Sequence, residues 1–338
     1  MRIKWAKKLI HNYYIRIFFY RCRTSFLAGF FCYIFFTLTV IISIGSCTDL
    51  KNTYRSTDYL EGLSMKPLSL GRFNFNLPDE FDLVGRNQSI YHVEIMTIPL
   101  KDKSPADLWY KRIEKIKSEI ISSKMLWEKE IHPDFPAVFY QTDPTVPSVN
   151  MEAQKTLKDH ILILKYQGKK NMETDMMRLI SIIAGGYQQG ITKGFNIGAG
   201  SITSKPSVNE HAFIKFKHQA LQTEVSINTQ TAGRVLNVHP LDDVSNEIKG
   251  LALEGIKLKV LIDEKKTVAG LPGFEGHVIL DSPEEEPIFR NTWFFQGEQK
   301  NSFKPEILIK MTGPEKHIEA VNEIWIKLLK SIRLRSEN

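Results

Sequence analysis

Past residue 47 the chain has no cysteine, because Cys22, Cys32 and Cys47 all fall in the first part of a 338-residue sequence. That excludes an internal disulfide, a thiolate metal cluster and a CxxC redox pair from everything downstream, so the fold rests on its apolar core. Catalytic signatures are missing as well: there is no GxxxxGK[ST] phosphate loop, no HExxH pair and no GxSxG elbow. Gly198-Ala199-Gly200-Ser201 puts glycines near a serine, but with the wrong spacing for an elbow. His92, His132, His160, His211, His218, His239, His277 and His317 never lie three to five residues apart, so local metal-ligand spacing is absent. Each of these histidines reads as a surface or capping residue. The residues point to no catalytic site, no cofactor and no metal.

Excess charge is scarce too, once its location is considered. The chain has 45 basic and 38 acidic residues, and seven of the basic ones, Arg2, Lys4, Lys7, Lys8, Arg16, Arg21 and Arg23, precede Cys47 with no acid among them. The rest of the chain is electrically balanced. The pI near 9.1 therefore gives no reason to expect nucleic acid as a partner.

What is present begins with that leader. After the basic segment, Phe26 to Ile44 forms an uncharged, largely apolar run of nineteen residues, the profile of an export signal. It closes with Ile44-Gly45-Ser46-Cys47, which resembles the lipobox of bacterial lipoproteins, where cleavage leaves a cysteine to be acylated. Cys47 is thus the expected lipid attachment site. The same run is long enough to span a bilayer as an uncleaved helix, and both readings send the rest of the chain across the membrane into the periplasm. Thr48, rather than aspartate, comes directly after the cysteine, which favours the outer membrane.

Residues 48–66 are polar and aperiodic and read as a tether. Leu70 to Pro78 alternates apolar and polar residues and reads as a strand, as do 91–98, 125–131, 137–142 and 160–166. Ser104-Pro105-Ala106-Asp107 opens a helix with its apolar face at Trp109, Ile113, Ile116 and Ile120. Met172, Met176, Leu179 and Ile183 define a second helix, which ends at Gly185-Gly186. The pattern then starts again. Strands are expected at 213–217, 223–229, 256–262, 276–280, 289–295 and 306–311, with a helix after His239-Pro240 and a closing helix through Ile318, Val321, Trp325, Leu328 and Ile332.

This predicts an α+β protein with an internal repeat of architecture. Pro105 to Pro136 and Pro240 to Pro272 span nearly the same length, and Phe135-Pro136-Ala137 occupies the place of Leu271-Pro272-Gly273. The expectation is a leader and anchor over 1–47, a tether over 48–66, and two similar domains over 67–190 and 191–338. Each would be a mainly antiparallel sheet with helices packed on one face. One continuous sandwich is the competing arrangement.

A candidate partner-binding element is the acidic run Asp281, Glu284, Glu285 and Glu286 between prolines, which also reads as a plain solvated hairpin loop. Trp293, Phe294, Phe295 and Trp325 read first as core.

The second half is familiar as a series. Thr267-Val268-Ala269-Gly270-Leu271-Pro272-Gly273, Thr292-Trp293-Phe294-Phe295, Pro305-Glu306-Ile307, Met311-Thr312-Gly313, Trp325 and Ser331-Ile332-Arg333-Leu334-Arg335 resemble, in that order, the C-terminal domain of the immunity proteins that neutralise type VI secretion lipase effectors of the fourth class. Gly71-Arg72-Phe73 with Leu77-Pro78 is similar to that family's opening strand. The resemblance implies a non-enzymatic, claw-like periplasmic protein whose partner is a cognate secreted phospholipase and whose lipid or helix anchor holds it to the membrane. It implies no small-molecule substrate. An envelope lipoprotein serving as a binding or assembly module fits the leader and the missing motifs too, and a hydrolase with a dispersed site is the third class.

Overall fold

The computed structural model describes residues 63–120, 126–132, 135–189, 193–203, 205, 208–233 and 256–335. Cys47 with its leader, most of the tether, and the helix expected after His239-Pro240 lie outside the described residues. Contacts divide the chain into Met1–Asp58 and Tyr59–Asn338, and the second unit holds all that is described.

Residues with alternating burial build most of it. Strands β1 (Met65–Leu70) and β2 (Phe73–Pro78) form a hairpin, followed by β3 (Phe81–Ile90) and β4 (Val93–Pro99). Helix α1 (Pro105–Glu119) starts where Pro105 needs no backbone donor, and it buries Ile113 and Ile116. Then come β5 (Leu126–His132), β6 (Phe135–Tyr140), β7 (Ser148–Thr156), β8 (His160–Lys169) and α2 (Glu173–Gly185). The short strands β9 (Tyr187–Gln189), β10 (Phe195–Asn196) and β11 (Gly200–Ile202) lead into β12 (Glu210–His218) and β13 (Thr223–Gln230). The chain ends with β14 (Lys257–Val268), β15 (Leu271–Ser282), β16 (Glu285–Phe295), β17 (Glu306–Pro314), α3 (Ile318–Ser331) and β18 (Arg333–Leu334).

Twelve strands form one antiparallel sheet in the order β14-β15-β16-β17-β13-β12-β3-β4-β8-β7-β6-β5. The order is palindromic: β3 to β8 on one side match β12 to β17 on the other, and the two sets meet where β3 pairs antiparallel with β12. The internal repeat read from the proline spacing is therefore visible in the strand order. The two sets are joined in one sheet: β3 is bonded along its length to β12 but to β4 only at Ser89↔Glu94 and Ile90↔Val93. The narrow point of the sheet lies between β3 and β4.

Two three-stranded sheets, β1-β2-β18 and β10-β11-β9, complete the layers. In each, an opening hairpin from one repeat pairs with the strand that comes after the closing helix of the other. Gly71 and Asn196 bridge these two sheets through backbone hydrogen bonds of 3.2 and 2.7 Å.

One expectation needs correction. The helices of the first half do not share a face of their sheet: Val138 and Tyr140 of β6 pack with Ile113 and Ile116 of α1, while Ala137 and Phe139 belong to the main core with Met176 and Ile180 of α2. Strands β6 and β7 are buried on both sides, so each face needs a cover. In the second half α3 buries Val321, Ile324, Trp325 and Leu328 completely, and each such side chain contributes about 1.5–3 kcal/mol relative to exposure.

Candidate interaction surface and the polar clusters behind it

The acidic run lies at a hairpin tip. Ser282 pairs with Glu285, leaving Pro283 and Glu284 as the turn between β15 and β16. Asp281, Glu284, Glu285 and Glu286 are exposed, and Glu286 forms an ion pair of 3.0 Å with Lys316. Ser282 Oγ accepts the Glu284 amide at 3.4 Å, closing the turn. The structure thus brings the four carboxylates to one solvent-facing tip.

Sequence reading missed four buried polar clusters. Glu275 is 2 % exposed, and it accepts from His277 Nε2 at 3.0 Å, from the Trp325 indole at 2.5 Å and from the Lys266 ammonium. Burial alone would raise its pKa, but the hydrogen bonds from His277, Lys266 and Trp325 together hold it at about 2. This cluster fastens α3 to β15. Trp293 joins it from β16 by donating its indole hydrogen to the Lys266 carbonyl at 3.0 Å.

Glu152 plays the matching part in the first half. It accepts two hydrogen bonds from Arg112 of α1, at 2.5 and 2.6 Å, and one from the Tyr140 hydroxyl at 2.7 Å. The bond to Glu152 raises the Arg112 pKa, and burial followed by the same carboxylate raises that of Tyr140.

His160 lies between Asp159 and Tyr187, 2.5 Å from Asp159 Oδ1 and 2.8 Å from the Tyr187 oxygen. An acid, a histidine and a hydroxyl in series have the composition of a relay. Here the hydroxyl end of the series is closed although Asp159 is exposed: His160 is buried, the Tyr187 hydroxyl donates to the Ala199 carbonyl at 3.0 Å, and Gly200 packs so closely that a Cβ would lie 2.6 Å from that hydroxyl. The glycines around Ser201 therefore serve close packing. Of the histidines read as surface or capping residues, His160, His218 and His277 are buried: His218 is a capping residue, its Nδ1 accepting the Leu221 amide at the β12–β13 turn, while His160 and His277 are bonded within their clusters.

The fourth cluster is the buried pair of Arg72 with Glu210, which ties the β1–β2 turn to the start of β12. Among the described residues no group of three or more His, Cys, Asp or Glu could hold a metal ion, and no helix is long and apolar enough to cross a membrane.

No family model and no curated protein matches the chain. Solved structures do, and they define its class at the level of fold: the chain has the architecture of type VI secretion immunity proteins, the resemblance read from its sequence. A chain of the Tle4–Tli4 complex matches with a TM-score of 0.66 at 16% identity, over 80% of this chain and 97% of that one. The apo immunity protein TplEi of T6SS from Pseudomonas aeruginosa matches with a TM-score of 0.66 at 15% identity, over 80% and 97%. The same immunity protein complexed with "L" peptide gives 0.63 at 16%, over 80% and 98%.

Proposed function

We propose that this protein is an immunity protein that binds a cognate type VI secreted phospholipase in the periplasm and inhibits it by occluding its active site. The observation that carries the reading is the extent of the fold match, which takes in nearly the whole length of immunity proteins of that secretion system. The protein works by occupying its partner and has no catalysis of its own.

The narrow β3/β4 junction divides the two lobes of the claw, β4 to β8 on one side and β3 with β12 to β17 on the other, and lets them be set at an angle. The toxin enters between them, with the acidic tip at Asp281, Glu284, Glu285 and Glu286 offered to a basic patch on the partner. A claw that engages two faces of its target buries about 2,000 Å² or more. The leader delivers the protein across the membrane, and acylated Cys47 or the apolar run itself holds it there. That raises its local concentration beside an enzyme acting on lipid.

The test is co-expression of the full chain with the lipase encoded beside it. A stable complex and suppressed phospholipid hydrolysis are expected. A soluble pair that neither co-elutes nor loses lipase activity defeats the proposal.

A further inference from the structure

A cavity of about 390 Å³ opens where the two repeats meet, between the sheet pair β3–β12 and the short strands β1 and β10. Its walls are apolar, from Leu68, Leu83, Ile214 and Phe216, and its charged groups are the cations Lys66 and Arg86. Among the described residues no carboxylate lines it.

Arg86 is the unusual member. Its Nη2 donates to the Ser69 carbonyl at 2.7 Å, and its Nε is buried with no acceptor among the described residues. Burial lowers its pKa with no anionic neighbour to offset the effect. A desolvated guanidinium ordinarily lies against a carboxylate or phosphate, because an unopposed buried charge is costly. Arg72 and Arg112 follow that rule, paired with Glu210 and Glu152.

The surroundings place the guanidinium at the cavity. An extra residue in β3, Val84, breaks the register with β12 between the Gly85↔Lys215 and Leu83↔Phe216 pairs, and such a bulge re-aims the side chains beside it. Opposite, Gly198 has φ +95, and a Cβ there would lie 2.3 Å from Arg86 Nη1. The glycine leaves room for the guanidinium head. Leu83, 54% exposed, stands as an apolar residue on the wall.

We propose that this junction cavity binds a carboxylate carried on a short apolar group, with Arg86 holding the carboxylate and Leu68, Leu83, Ile214 and Phe216 taking the apolar part. A planar fork meeting a carboxylate in a partly dry site is a strong and orienting contact. The volume falls in the range of small-ligand pockets. The same chemistry is presented by a free carboxylic acid and by an acidic side chain flanked by apolar residues on a docked protein loop. The proposal stands apart from the toxin reading, since either source could fill the cavity.

The experiment titrates the full-length protein in nonionic detergent with hexanoate, hexanol and acetate, following heat and the Nε–Hε signal of Arg86, assigned by its loss in Arg86→Lys. Hexanoate is expected to bind saturably and to shift that signal, with hexanol and acetate at least about tenfold weaker. Arg86→Met should weaken hexanoate about tenfold or more. Leu83→Asp, a change at an exposed position, should abolish binding without loss of fold by setting a competing carboxylate on the wall. A peptide arm compares acetyl-Leu-Glu-Leu-amide with its glutamine counterpart: peptide binding that depends on Arg86 assigns the carboxylate to a protein side chain, and hexanoate binding alone assigns it to a free acid. The proposal is overturned if neither probe binds, if Arg86→Met and Leu83→Asp leave hexanoate unaffected, or if acetate and chloride displace it equally.

Discussion

Arg72 and Glu210 form a bidentate ion pair with contacts of 2.6 and 2.7 Å, both side chains 4% exposed, and the Arg72 guanidinium also lies 4.0 Å from the centroid of the Phe303 ring. Three distant stretches of chain meet at this pair: the first hairpin, the start of β12 and the approach to β17. Removing one partner strands the other charge in a dry site. Arg72→Met should cost about 3–5 kcal/mol, and the double change Arg72→Met with Glu210→Leu should recover at least half of that. Equilibrium urea unfolding of the two variants decides it, and a double variant as unstable as the single would show that packing against Phe303 is what matters.

Glu275 sets an acid limit on stability. Its folded pKa, about 2, is depressed below the ordinary glutamate value of 4.5. The stabilisation is fully present above about 4.5 and is lost as pH falls through about 2, amounting to about 3 kcal/mol. Glu275→Gln should flatten the dependence of unfolding free energy on pH between 4.5 and 2. An unchanged slope would place the acid sensitivity elsewhere.

Gly273 and Gly270 differ in why they are glycine, and alanine should separate them. A Cβ at Gly273 would lie 2.6 Å from the Phe294 carbonyl oxygen and 2.7 Å from the Trp293 ring, whereas Gly270 has φ +79 and open space around it. Gly273→Ala should cost about 1–3 kcal/mol through overpacking against backbone, and Gly270→Ala about 1–2 kcal/mol through left-handed strain. The mechanisms part under repacking: Trp293→Leu should restore some stability to Gly273→Ala and none to Gly270→Ala in thermal melts.

Tyr140→Phe removes one of the three hydrogen bonds to buried Glu152 while keeping the ring. Its cost should be about 1–3 kcal/mol. Arg112→Met should cost more, since it leaves the carboxylate with the hydroxyl alone. A smaller loss for the arginine than for the tyrosine in chemical denaturation would contradict this ordering.

Charge reversal at the acidic tip tests its part in recognition. Glu284→Lys and Glu285→Lys should leave the melting temperature nearly unchanged, because both residues are exposed, and should slow association with the effector more than they speed dissociation. Stopped-flow binding at two salt concentrations reads this. Rates that match the unaltered protein at both concentrations would remove the tip from the interface.

Local signals are legible in the sequence wherever one residue type has one local job. Ser104-Pro105 marks the start of α1, and the spacing of Ile318, Val321, Trp325 and Leu328 marks α3. Strand β7 escapes a reading by pattern because Asn150, Glu152 and Gln154 look solvent-facing, yet all three are buried, with Glu152 and Gln154 bonded to Arg112 and the Pro105 carbonyl of α1. Strand β3 escapes it because the bulge at Val84 breaks its alternation. The extra strands β9 to β11 are too short to show a period. The Arg86 cavity has no sequence signal at all: Ser69, Gly198 and Ile214 reach it from far along the chain, and Gly198 is explained by its φ of +95 and its close approach to Arg86.

The pairing of β18 with β2 has a consequence for the order in which the molecule can be finished. The opening hairpin leaves the outer edge of β2 without that neighbour until Arg333 and Leu334 have been delivered. Cutting the chain ahead of Arg333 would thus remove the seal on its opening hairpin, and during synthesis that edge stays available to strangers until β18 arrives.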